Sequence, residues 1–151
     1  MDIRFDDIKY KLTGMEKDIT DLYDAMNIKN AEKQASELDK QAAAADFWDD
    51  QENSQKVLKK LKHLKDSIEA YNKLKTLYED TLTLIDMAKE LDDDSQIDEV
   101  EENYKKICED LESQRLKTLL KGEYDTFNAI MTFHAGAGGT EAQDWAQMLY
   151  R

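Results

Sequence analysis

Apolar residues recur along most of this chain in steps of three and four. Phe5, Ile8, Leu12, Met15, Ile19, Leu22 and Met26 keep that rhythm without a break, the heptad spacing that turns one stripe of a helix toward a partner. Gly14 lies inside the stripe and weakens the helix by about 1 kcal/mol relative to alanine. A second, shorter pattern uses Ala31, Ala35, Leu38, Ala42 and Ala45, whose small side chains admit close helix approach. "DFWDDQEN" then reads as a turn, with Phe47 and Trp48 as its expected anchors. The third pattern is the longest: Val57, Leu61, Leu64, Ile68, Tyr71, Tyr78, Leu82 and Ile85, with Lys75 in one seam slot. It predicts a helix from about Asn53 to Leu91, roughly 58 Å long.

"DDDS" at residues 92–95 breaks that helix, and Ser95 to Asp98 approximates a capping box for the next. Ile97, Val100, Tyr104, Ile107 and Leu111 carry the seam onward to Leu119 or Leu120. Residues 1–121 are therefore expected to form a mainly α, elongated antiparallel bundle of three or four helices with coiled-coil-like hairpins. Coiled-coil homodimerisation is the alternative.

Gly122 fits the residue that closes the fourth helix. Beyond it the period changes. Ala129, Met131, Phe133 and Ala135 alternate with Ile130, Thr132 and His134, which predicts one β-strand over 128–135. A glycine loop follows, then a helix in which Thr140 and Gln143 form a capping box. Ala142, Trp145, Ala146 and Leu149 share one face of that helix. Residues 122–151 are thus expected to be the truncated beginning of a second, α/β domain, with the boundary near Lys121 to Asp125.

Composition sharpens this picture. Charged residues make up 36% of the chain, proline is absent and glycine occurs five times, a bias toward long solvated helices. A formal net charge of −13 argues against a protein that grips nucleic acid over most of its surface. Cys108 is the only cysteine, so no intramolecular disulfide forms, which fits a reducing compartment. No apolar run approaches membrane-spanning length and no leader is evident, so a cytoplasmic protein without a membrane partner is expected.

Candidate chemistry is sparse. A glycine loop between strand and helix is where nucleotide-binding folds hold phosphate. Here Gly138-Gly139 leads to Thr140-Glu141, without the lysine that a Walker loop needs, and the dinucleotide spacing is absent. No cofactor is expected. His63 and His134 stand far apart with no ligand at metal spacing, so no metal site is expected either. The numerous acids read as a solvating surface, and no catalytic residue is assigned. One cluster is less ordinary: Lys56, Lys59, Lys60, Lys62 and Lys65 place five positive charges in ten residues with no acid among them. If helices three and four form a hairpin turning near residue 93, the acidic run Asp98 to Glu102 lies opposite residues 85–89, too far along to neutralise them. The lysines are either a solubilising face partly paired with the first or second helix, or a contact for RNA phosphate or an acidic partner.

"AGAGGTEAQDWAQMLYR" resembles the segment that opens the second domain in the bacterial peptide chain release factor 2 family. "GEYDTFNAIMTFHAGAGGTEAQDWA" extends the likeness upstream, and "DFWDDQENSQKV" resembles the family's turn between early helices. "TEAQDWA" is closer to the type 2 factors than to type 1, and the resemblance covers essentially the whole chain. It implies a cytoplasmic translation termination factor that enters the ribosomal A site at UGA or UAA and promotes hydrolysis of peptidyl-tRNA. The helical domain would lie toward the stalk base of the large subunit and its GTPase-associated region. The family reads codons with a Ser-Pro-Phe loop and depends on a Gly-Gly-Gln loop for hydrolysis. Neither tripeptide occurs in these 151 residues, so this stretch is expected not to be an enzyme by itself. "AAAADFW" lacks the proline that often precedes this turn in the family, which leaves the local turn geometry open. Other readings are a free-standing helical-hairpin binding or chaperone module, an NTPase, and self-association through residues 128–151.

Overall fold

The computed structural model describes residues 2–119 and 130–151. Its helices are α1 (Arg4–Ala25), α2 (Ile28–Ala42), α3 (Gln51–Leu91), α4 (Ile97–Leu119) and α5 (Gly139–Tyr150), with a short 3-10 turn at Asp94–Gln96 leading into α4. The chain divides into two compact units, Met1–Leu119 and Leu120–Arg151.

In the first unit α3 is the spine. Its 41 residues span about 60 Å at 1.5 Å per residue. α1 lies antiparallel to the C-terminal half of α3: Lys89 pairs with Asp6, Lys9 with Asp86, and Tyr23 tilts against Tyr71 with ring centroids 5.3 Å apart. α2 then continues in the same sense as α1 along the N-terminal half of α3, bringing Asp39 to 2.8 Å from Lys65. α4 is antiparallel to α3, with the Gln114 side chain donating to the Ala70 carbonyl at 3.0 Å. That is within a turn of the register expected for a hairpin turning near residue 93. α4 is consequently parallel to α1, and Arg4 reaches Glu101 at 2.9 Å while Arg115 reaches Asp18 at 3.7 Å. The bundle is therefore not antiparallel throughout. α3 opposes each of its neighbours, and those neighbours run in one direction.

The first expected seam forms. Phe5, Ile8, Leu12, Ile19 and Leu22 are buried, with Met15 and Met26 packed against them. They meet Tyr71, Leu74, Tyr78, Ile85 and Ala88 of α3 and Ile97, Val100, Ile107 and Leu111 of α4 in one core. Each fully buried large aliphatic or aromatic side chain there contributes about 1.5–3 kcal/mol. Ala31 and Ala35 of α2 and Leu61 of α3 are buried outside this core, so α2 and the first part of α3 form a two-helix arm beyond the three-helix bundle.

Two helix ends explain the path of the chain. Asn27, between α1 and α2, has φ 53° and ψ 44°, a left-handed conformation that asparagine tolerates better than most residues. It redirects the chain without reversing it. Asp92 ends α3 in the same conformation, φ 50°, while the amide of Asp93 donates to Ala88 at 3.0 Å and that of Asp92 to Lys89 at 3.4 Å, a Schellman closure. The cap that follows is Asp93, whose side chain accepts from the Ser95 amide at 2.9 Å. Ser95 lies inside the 3-10 turn and so cannot itself be the N-cap.

In the second unit the expected strand is not found. Among the described residues there is no β-strand, and 130–135 are irregular. Alternation alone does not make a strand, because each backbone donor and acceptor needs a neighbouring strand, and none is present among these residues. Residues 128 and 129, and the expected boundary and cap at 121–125, lie outside the described residues. α5 forms as expected but begins at Gly139, with Gly138 as its N-cap in extended conformation and no side-chain cap. Thr140 therefore stands within the first turn, and the expected Thr140–Gln143 capping box does not form. Gly136 supplies the left-handed turn ahead of it at φ 60°.

Candidate functional site

The lysine cluster sits on the first part of α3, where α2 packs alongside. Asp50 starts this helix by accepting from the Asn53 amide at 3.1 Å. Leu61 is buried, and Val57, Leu64 and Ile68 are half-buried. With the apolar stripe turned to α2, the helix period sends Lys56, Lys59 and Lys62 toward the opposite, solvent side and leaves Lys60 on its flank. All five lysines are exposed. Two are engaged: Lys56 pairs with Glu52 one turn back at 2.6 Å, and Lys65 with Asp39 of α2 at 2.8 Å. Lys59, Lys60 and Lys62 make no ion pair among the described residues. Part of the cluster is thus paired as a solubilising face would be, and three cations have no carboxylate partner among the described residues. Exposed pairs such as Lys56–Glu52 are weak, so they leave the field of the cluster largely intact.

Elsewhere the arrangement favours packing over chemistry. Among the described residues, no group of three or more His, Cys, Asp or Glu is placed to hold a metal. His63 and His134 are both exposed. Cys108 is partly buried beside Tyr104, whose phenol is held above its usual range by a hydrogen bond with Cys108 first and by burial second. Burial raises Tyr71 and Tyr78 in the same way. Arg4 is held strongly protonated by hydrogen bonds to Asp2 and then Glu101. The glycine loop at 136–139 leads into α5, where Phe133, His134 and Ala135 line a groove of about 430 Å³ with Ala142, Trp145, Ala146 and Leu149. That is the apolar face expected from the spacing, and Glu141 in its first turn is unsuited to a bound phosphate.

One residue was misread by its chemistry. Trp48 is not an anchor: it is 65% exposed, and only Phe47 of the pair is half-buried. The hydrophobicity of an indole predicts burial, but the side chain sits in the α2–α3 turn, where none of the described elements covers it.

Comparison with known proteins gives this geometry its context. The PCRF domain model matches residues 31–151. Peptide chain release factor 2 of Petrotoga mobilis is 38% identical over 143 residues, covering 95% of this chain and 38% of that protein. The Exiguobacterium peptide chain release factor 2 is 36% identical over 145 residues, covering 96% and 40% respectively. Peptide chain release factor PrfB1, chloroplastic, of Arabidopsis thaliana is 37% identical over 127 residues, 83% of this chain and 28% of that one. The chain spans about two fifths of the length of the first two. With the family match running from the second helix to Arg151, the chain belongs to the PCRF-domain family of peptide chain release factors.

Proposed function

We propose that these residues are the N-terminal portion of a translation termination factor that acts on the ribosome at UGA and UAA codons in the cytoplasm. The helical unit serves as a ribosome-binding element near the stalk base of the large subunit. Codon reading and peptidyl-tRNA hydrolysis belong to segments other than these 151 residues, which hold neither Ser-Pro-Phe nor Gly-Gly-Gln. The PCRF match over 31–151 carries this reading. Lys59, Lys60 and Lys62 support it: exposed cations with no carboxylate partner among the described residues suit RNA phosphate, and local contact of this kind is compatible with a net charge of −13. No described helix is long and apolar enough to cross a membrane.

The test is binding of the chain to purified bacterial 70S ribosomes as salt is raised. Lys59→Glu, Lys60→Glu and Lys62→Glu together are expected to weaken binding by roughly tenfold or more at low salt, with the gap closing as salt screens the contacts. Equal affinity of the two proteins at low salt would remove the lysines from the interface. Added to stalled termination complexes, the chain is expected to release no more peptide than buffer.

A further inference from the structure

Gln114 is the one polar side chain among the buried residues of α4, and the last of them along the helix. It is 6% exposed and continues the stripe of Ile107 and Leu111. Its amide nitrogen donates to the Ala70 carbonyl of α3 at 3.0 Å. A carbonyl can only accept, so the nitrogen faces it and the amide oxygen takes no part in that bond. The oxygen is buried with no hydrogen-bond partner among the described residues. A buried acceptor left unpaired costs free energy that water restores, whereas a leucine at the same place would lose by exposure.

Among the described residues, less holds α4 beyond this point. Arg115, Leu116, Lys117 and Leu119 are exposed, Leu116 and Leu119 by 55% and 76%. Arg115 pairs with Asp18 at 3.7 Å, an exposed and long contact that contributes little. Under the last turn a groove of about 260 Å³ opens between α4 and the end of α1, with Leu22, Ala25, Thr118 and Leu119 in its walls. Before Gln114 the helix is firmly seated. Val100 and Ile107 are fully buried, and Leu111 nearly so, in the core shared with α1 and α3. The end of α4 thus rests on one half-satisfied amide and a partly filled groove, where interiors are ordinarily close-packed.

We propose that α4 from Gln114 to Leu119 is a strap that opens and closes on α3 while the helix up to Leu111 stays packed, with Gln114 as its catch. Half-satisfied when closed and hydrated when open, the amide keeps the two states closer in free energy than an apolar residue would. Opening frees the end of α4 from the direction that α3 imposes on it. The strap goes beyond the ribosome-binding reading and does not depend on it. The test is residue-resolved hydrogen exchange of the whole chain at neutral pH, comparing the parent with Gln114→Leu and Gln114→Glu. Leucine and glutamine have similar helix propensity, so the first variant changes the catch and not the helix. It is expected to slow exchange over 115–119 by about tenfold and to leave the urea midpoint no lower than the parent's. Slowing by less than about twofold, or a lower midpoint, overturns the proposal. Gln114→Glu puts a charge where the catch closes and is expected to hold the strap open. Exchange over 115–119 then rises about tenfold, with that of 74–85 within about threefold of the parent. No acceleration over 115–119, or equal acceleration of both segments, overturns the proposal too, since the end of α4 would then open only with the whole bundle or not through Gln114.

Discussion

Asp93 does at the α3–α4 corner what the sequence spacing assigns to Ser95. Its carboxyl is held below the ordinary value of 3.8, first by hydrogen bonding to the Ser95 side chain and then by the Ser95 amide. A lowered folded value means that this cap stabilises the protein when ionised. The contribution is present above the ordinary value and is lost as pH falls through the lowered one. Asp93→Ala is therefore expected to unfold at lower urea than the parent at neutral pH, and the difference should shrink as pH falls below the ordinary value of 3.8. A constant difference across that range would mean the ionised carboxylate is not what matters. Asn27 shows the opposite limit of residue-level reading. Nothing in the apolar rhythm marks it, yet its left-handed conformation divides α1 from α2.

At the scale of elements, periodicity located the helices and understated their faces. α3 runs from Gln51 to Leu91, two residues earlier than the spacing indicates and ending where it indicates. Yet Leu74, Thr81 and Ala88 are buried beside the expected Tyr71, Tyr78 and Ile85, because α3 packs on both α1 and α4 and a single seam describes one neighbour only. Lys75, read into a seam slot, is exposed. α1 carries the clearest test at this scale. Gly14 lies mid-helix, and a Cβ built there meets nothing within 4 Å. Gly14→Ala is expected to raise stability by about 0.5–1 kcal/mol in urea unfolding, since it removes backbone freedom from the unfolded chain without a clash. Destabilisation would show that α1 needs its glycine.

At the scale of the molecule, protection should follow packing. Residues 71–88 of α3 contribute five side chains to the core shared with α1 and α4, Leu61 is buried outside that core, and α5 has no buried residue among its twelve. Hydrogen exchange is expected to be slowest around Leu74 to Ile85, faster near Lys56 to Lys60, and fastest in α5, whose length is near the limit for an isolated helix in water. Equal protection of α5 and central α3 in dilute, monomeric protein would mean that the second unit owes its stability to contacts other than its own. Equal protection along α3 would mean that the arm is as firmly packed as the bundle.

The sequence by itself determined the helices, the first seam, the clustering of five lysines and the family, because helical period, local charge and motif are properties of neighbouring residues. Tertiary structure decided the rest. It set the directions of the helices, since a left-handed Asn27 turns the chain without reversing it. Among the described residues it left Lys59, Lys60 and Lys62 without an ion pair while giving Lys56 and Lys65 theirs, since pairing depends on which acids the fold brings near. It kept Trp48 in solvent and left 130–135 irregular. An indole is buried only where another element covers it, and alternating residues become a strand only beside another strand.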